Sequence, residues 1–161
     1  TAQQHVQKGL EADNAVGFSA VPSLYSQLMS MIHFESGDWE GARRYAEEGL
    51  ECAKTRTERI FEGMLSVFLG TALGKADSSQ SAKAEELILE GIKLLDELKV
   101  KPYQAEGHLY LGELYADTGQ KEKALKALRK AKRMFQQMGM DYYLAKAEKA
   151  LERLRSGGKG G

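Results

Sequence analysis

Small residues recur along this chain at a nearly fixed interval: Ala2, Ala42, Ala84 and Ala124 are separated by 40, 42 and 40 residues. Carrying the register four residues further gives Val6, Ala46, Ile88 and Leu128, and three more give Gly9, Gly49, Gly91 and Ala131. Small side chains at i and i+7 with an apolar one between them form a single helical stripe, and their size lets a second helix approach closely. The same offsets align Val21, Phe61, Tyr103 and Tyr143, so the register survives the connection into the next helix. Such a period means a supersecondary unit that buries its apolar face only by stacking on its neighbours.

Composition decides which kind of unit. Ala, Leu, Glu and Lys supply 71 of the 161 residues, whereas Val, Ile and Thr supply 14. Strong helix formers thus dominate and strand formers are scarce. Each repeat therefore reads as two antiparallel helices. The turns between them are marked by Glu35-Ser36-Gly37-Asp38 and Asp117-Thr118-Gly119-Gln120, where a glycine can take the left-handed conformation that ends a helix. The polar run from Lys75 to Ser81 is longer by two residues and accounts for the interval of 42.

The pattern predicts about eight helices, over about 1–14, 22–36, 39–56, 60–74, 81–99, 103–117, 121–138 and 141–155, and no strands. The units are a half repeat 1–21, repeats 22–59, 60–101 and 102–140, and a terminal helix 141–155. Residues 156–161, rich in glycine, are expected to form a flexible tail.

Within the third full unit, His108, Leu111, Gly112, Tyr115, Ala124 and Leu128 fall on the spacing of the tetratricopeptide repeat, with the first and last departing from type. Ser66, Leu69, Gly70, Leu73, Ala84 and Ile88 keep its Leu-Gly pair but lose both aromatics, and Ser26, Met29, Ser30, His33, Ala42 and Ala46 are degenerate. The chain resembles that family, with helices longer than its standard repeat. The resemblance implies an all-α, right-handed superhelical solenoid of antiparallel helix pairs. The stretch from Pro102 to Leu154 also looks like the C-terminal helical arrays of bacterial signalling proteins that join an adenylate cyclase or another output domain to an ATPase. That likeness implies a regulatory or scaffolding role beside other domains of a parent chain, with no catalytic residues to carry over.

Charge and motif content narrow the function. Lysines plus arginines number 23, as do aspartates plus glutamates, so no net field attracts nucleic acid or an anionic membrane. The longest largely apolar stretch, Gly63 to Gly74, is far shorter than the roughly 20 residues that span a bilayer. Cys52 is the single cysteine, and with His5, His33 and His108 it makes no zinc-ligand spacing. No phosphate-cradling glycine loop, nucleophile elbow or histidine pair at i, i+4 is present. Adjacent carboxylates such as Glu47-Glu48 and Glu85-Glu86 diverge around a helix. No catalytic residue, cofactor or metal is expected, and a reducing cytoplasm is the expected compartment.

In arrays of the resembled family, the first helix of each pair lines the concave surface. Register then assigns to the groove Leu24, Gln27, Met31 and Phe34, then Met64, Val67 and Thr71, then Glu106, Leu109, Glu113 and Asp117. The final helix adds Lys146, Lys149 and Arg153. This surface, apolar, then acidic, then basic, suits an amphipathic helix or extended segment of a protein partner. The same apolar side chains could instead pack on one another as core. The family's lysine and asparagine clamp for chaperone tails is disfavoured, since Gln27 and Met31 stand at corresponding positions. A small effector in the groove near Phe34, Met64 and Thr71 is the alternative occupant.

Charge is uneven along the chain: residues 1–120 carry 11 basic and 19 acidic side chains, residues 121–161 carry 12 and 4. Lys123, Lys126, Lys130 and Arg133 fall on one helical face, but without interleaved aromatics or a reading helix they are expected to form a solvated surface, with nucleic-acid binding through this basic C-terminal third the weaker alternative. Trp39, behind Asp38, is expected to wedge between helices; His33 and His108 to pack at helix interfaces; and Cys52 to be a small buried hydrophobe. Because the first unit lacks a leading helix, self-association through the N-terminal end is also expected.

Overall fold

In the computed structural model, which describes residues 22–157 together with Gln4, the helices begin and end where the turn chemistry dictates. The elements are α1 (Pro22–Glu35), α2 (Trp39–Thr55), α3 (Arg59–Ala76), a short 3-10 turn (Ser78–Gln80), α4 (Ser81–Glu97), α5 (Lys101–Asp117), α6 (Lys121–Met138) and α7 (Asp141–Ser156). Among the described residues there is no strand. Apart from Gln4, the first predicted helix and the half repeat 1–21, with the self-association expected there, lie outside the described residues, as do the tail residues 158–161. The last helix runs to Ser156, one residue into the segment expected to be tail.

One turn is used five times. Gly37, Thr57, Lys99, Gly119 and Gly139 all have φ between 58° and 77°. The residue after each, Asp38, Glu58, Val100, Gln120 and Met140, donates its backbone N–H to the carbonyl five residues back at 2.8–3.0 Å. These paired bonds satisfy carbonyls that the helix end would orphan. The same following residue then opens the next helix, with φ near −85° and ψ near 70°. At Asp38 a side chain adds to this, its carboxylate accepting from the Gly41 N–H at 2.9 Å. The glycine turns at 37 and 119 are the predicted ones. Thr57 and Lys99 do the same work without glycine, which hid them from the sequence. The remaining connection, from α3 to α4, goes through the 3-10 turn, where Asp77 Oδ1 accepts from the Ser79 N–H at 2.9 Å; this is the longer polar run.

The aligned stripe is the helix–helix contact. Ala42, Ala46, Ala84, Ile88, Ala124 and Leu128 are each 0 % exposed. The small residues are needed for the approach: a Cβ on Gly91 would stand 2.6 Å from the Gly63 carbonyl oxygen, and one on Gly70 would stand 2.7 Å from that of Ala84. Each helix packs on the next, giving seven helices in adjacent pairs among the described residues. The first helices of successive pairs also approach backbone to backbone, α1 on α3, α3 on α5 and α5 on α7, whereas α2, α4 and α6 make no such approach to one another, α4 and α6 meeting through the Glu85–Lys123 pair at 3.7 Å. Apolar burial is continuous from Ala46 through Ala127, with a second cluster of Leu109, Leu128, Ala131, Phe135 and Leu151 toward the C-terminal end. Cys52 departs from expectation: it is only half-buried, because the positions facing α3 on its helix are Gly49, Leu50 and Ala53.

Candidate interaction groove

The surface shared by α1, α3, α5 and α7 holds three features: an aromatic knot, a buried polar cluster and an open cavity. The knot forms where three helices each contribute a ring. Phe34 of α1 lies 5.4 Å from Tyr110 of α5 and 6.3 Å from Phe68 of α3, centroid to centroid, both edge-on. Trp39, at the start of α2, meets Phe34 edge-on at 5.0 Å. It thus sits against the helix pair as expected, and its ring also borders the cavity. Such edge-to-face pairs contribute roughly 0.5–1.5 kcal/mol beyond burial.

Beside the knot lies the polar cluster. Glu106 is 6 % exposed, and burial raises its carboxyl from the ordinary range to about 7, although a hydrogen bond with Tyr143 and the charge of Lys146 act the other way. Tyr110 and Tyr143 are both pushed up by burial and by the neighbouring Glu106. Lys146 sits 4.7 Å from the Tyr142 ring centre and 5.7 Å from that of Tyr143, and its Nζ is 3.4 Å from Glu35 Oε1 of α1. Burial opposes its charge, but Tyr142 and Glu35 outweigh that and leave Lys146 raised.

The cavity, about 640 Å³, opens against the Phe34 and Trp39 side of the knot. Phe34, Trp39, Ala116, Ala150 and Leu154 supply its apolar lining, and Lys75, Glu113, Asp117, Lys121 and Arg153 its charged one. Lys75 Nζ binds Asp117 Oδ2 at 2.6 Å, joining α3 to α5. Glu113 is half-buried, and burial raises its carboxyl against the opposing pull of Lys75.

The predicted groove residues divide accordingly. Phe34, Glu113 and Asp117 border the cavity. Met64, Val67 and Glu106 are buried around a small cleft with Phe68, Tyr103 and Tyr110. Thr71 is buried, its hydroxyl donating to the Val67 carbonyl at 2.7 Å. Gln27 is buried with its amide on the Met31 sulfur at 3.3 Å, Met31 is half-buried, and Leu24 is 40 % exposed. Leu109 requires a correction. It is 0 % exposed and packs with Leu128, Ala131 and Phe135, facing α6 and not the groove. The inner stripe of α5 runs instead through Tyr103, Glu106, Tyr110, Glu113 and Asp117, and a one-residue slip rotates a side chain by roughly 100° around a helix. Tyr110 was therefore missed, although its spacing of four and three from Glu106 and Glu113 carried the signal.

The other candidates are structural. His33 Nδ1 lies 2.8 Å from Asp38 Oδ2, and its ring stacks on Tyr45 at 5.2 Å. His108 is 9 % exposed, and burial lowers it to about 4. Lys123 is tied to its neighbours, 3.7 Å from Glu85 and 5.0 Å above the Tyr115 ring, while Lys126, Lys130 and Arg133 are exposed. Among the described residues, no three His, Cys, Asp or Glu side chains converge as a metal site, and no helix is long and apolar enough to cross a membrane. No protein-family model and no curated protein matches the chain.

Proposed function

We propose that the chain is a tetratricopeptide-like solenoid that binds a segment of a partner protein, or of another domain of its own parent chain, in the cavity on its inner face. The role is that of a regulatory scaffold in a bacterial signalling protein, without catalysis. Support for the repeat architecture comes from the five identical turns, the buried stripe at intervals of about 40 residues, and backbones that approach closely between first helices but not between second ones. That asymmetry is what a curved array with its first helices on the inside would produce. The observation that carries the function is the cavity itself, where charged side chains, exposed at Asp117, Lys121 and Arg153, border an apolar lining that includes an indole ring. Apolar anchors within a polar rim are the anatomy of a peptide-binding surface.

The test is to fill the cavity. Ala150 is half-buried in its wall, so Ala150→Phe narrows the space without touching a charge. A partner captured from the source cells, identified by mass spectrometry and then lost with this variant, would support the reading; a genuine partner bound equally well by both proteins would remove it.

Small-ligand sensing is the second reading, favoured by one observation: about 640 Å³ falls within the range of small-molecule sites. A metabolite screen by thermal shift addresses it, and a compound that stabilises the native chain but not Ala150→Phe would move the proposal to that class.

A further inference from the structure

The charges around the cavity do not cancel where a ligand would meet them. Of the two acids, Asp117 is already held by Lys75 at 2.6 Å. Glu113 is half-buried, and burial favours its neutral form. Of the three bases, Lys75 is therefore committed, whereas Lys121 and Arg153 are exposed and make no ion pair or hydrogen bond among the described residues. Arg153 reaches Glu113 only as the last and smallest of the charges acting on it. Lys121 opens α6 and Arg153 lies in the last turn of α7, so the two come from different helices at the same cavity. The unspent charge of the rim is positive and the lining between is apolar.

We propose that this cavity takes an acidic amphipathic segment of a partner, with an apolar side chain seated against Trp39 and Leu154 and flanking carboxylates on Lys121 and Arg153. The proposal rests on the groove reading above and adds the chemistry of the occupant. A basic segment would leave both cations facing like charge, which costs specificity energy at an interface. A ligand without an apolar side chain would leave the indole and Leu154 wet. Carboxylates on a protein segment meet both demands together.

Trp39 is the chain's only tryptophan, so its fluorescence reports occupancy directly. Two pools of tryptophan-free dodecapeptides serve as probes, both with Leu or Phe at every third or fourth position, one with Asp and Glu between them and the other with Lys and Arg. The acidic pool should change the Trp39 emission saturably and bind more weakly at high salt. Lys121→Glu with Arg153→Glu should weaken that binding by about tenfold or more and let the basic pool bind. Arg155→Glu, a charge reversal in the same helical turn but away from the cavity, should leave binding unchanged. Equal responses to the two pools, no response to either, or an unaffected double variant would each overturn the proposal. Phenylacetate binding as tightly as the acidic pool would overturn it too, assigning the cavity to a small aromatic carboxylate. Failure here is distinguishable from failure of the groove itself: a partner blocked by Ala150→Phe but indifferent to the double charge reversal leaves the groove standing and removes only its acidic occupant.

Discussion

Glu35 and Lys146, 111 residues apart in the chain, meet at 3.4 Å across the surface shared by α1, α3, α5 and α7. Their helices, α1 and α7, share no backbone contact, so this pair, with Phe34 against Tyr110, links the end of α1 to elements three and two pairs further on. The link shapes the groove more than it stabilises the fold. Glu35 is 60 % exposed at its side chain, and exposed pairs contribute under about 1 kcal/mol. Glu35→Gln should therefore leave the urea midpoint nearly unchanged while speeding amide exchange in the last turn of α1. A loss of stability as large as that of a core truncation would contradict it.

Glu106 ties stability to pH from the alkaline side. Its carboxyl titrates at about 7 in the folded chain against 4.5 in the ordinary state, so the proton is bound more tightly in the fold. Stability is complete below about 4.5 and is lost as pH rises through about 7. Glu106→Gln, which keeps the shape and removes the charge, should flatten that slope and gain up to about 3 kcal/mol at pH 8. Urea titrations across pH settle the matter, and a variant equally sensitive to pH would refute the assignment.

His108 acts from the acid side. Burial lowers it from 6.5 to about 4, so the neutral ring is the folded form. Its contribution is intact above about 6.5 and falls as pH drops toward 4. His108→Gln should remove this acid sensitivity, leaving the opposite slope of Glu106 exposed between those limits. Nε2 of His108 has no hydrogen-bond partner, so the substitution sacrifices no bond there.

The two non-glycine turns can be improved. Thr57 and Lys99 are exposed and hold φ of 58° and 60°, where a β-branched or long side chain is strained. Thr57→Gly and Lys99→Gly should each raise stability by about 0.5–1 kcal/mol and, being at separate junctions, should add. Gly119→Ala, at φ 75°, should lower it by about 1 kcal/mol. Thermal melts showing no difference between these opposite changes would count against the turn argument.

Close approach is less forgiving. Gly91→Ala places a methyl 2.6 Å from the Gly63 carbonyl oxygen, a backbone atom that cannot rotate away. Separating α3 from α4 to fit it should cost about 2 kcal/mol or more. Gly37→Ala, where no neighbour lies within 4 Å, should show only the cost of its left-handed backbone.

Sequence alone determined the helical class, the pairing of helices, the interval of the repeat and the stripe on which they touch. These follow from local rules: propensity, the period of small residues, and glycine where a helix must reverse. Thr57 and Lys99 escaped because other residues can be forced into a left-handed turn by the contacts on either side. Which side chains of the inner face remain open was not legible. Val67, Met64 and Thr71 share the predicted stripe with Phe34 and Glu113 yet are buried, because the packing of α5 on α3 brings Tyr110 against them. Only the tertiary structure decided that Leu109 turns to α6, that Lys75 cancels Asp117, and that Glu35 finds Lys146. Each depends on the distance between helices far apart in the chain, which is a sum of every packing contact between them.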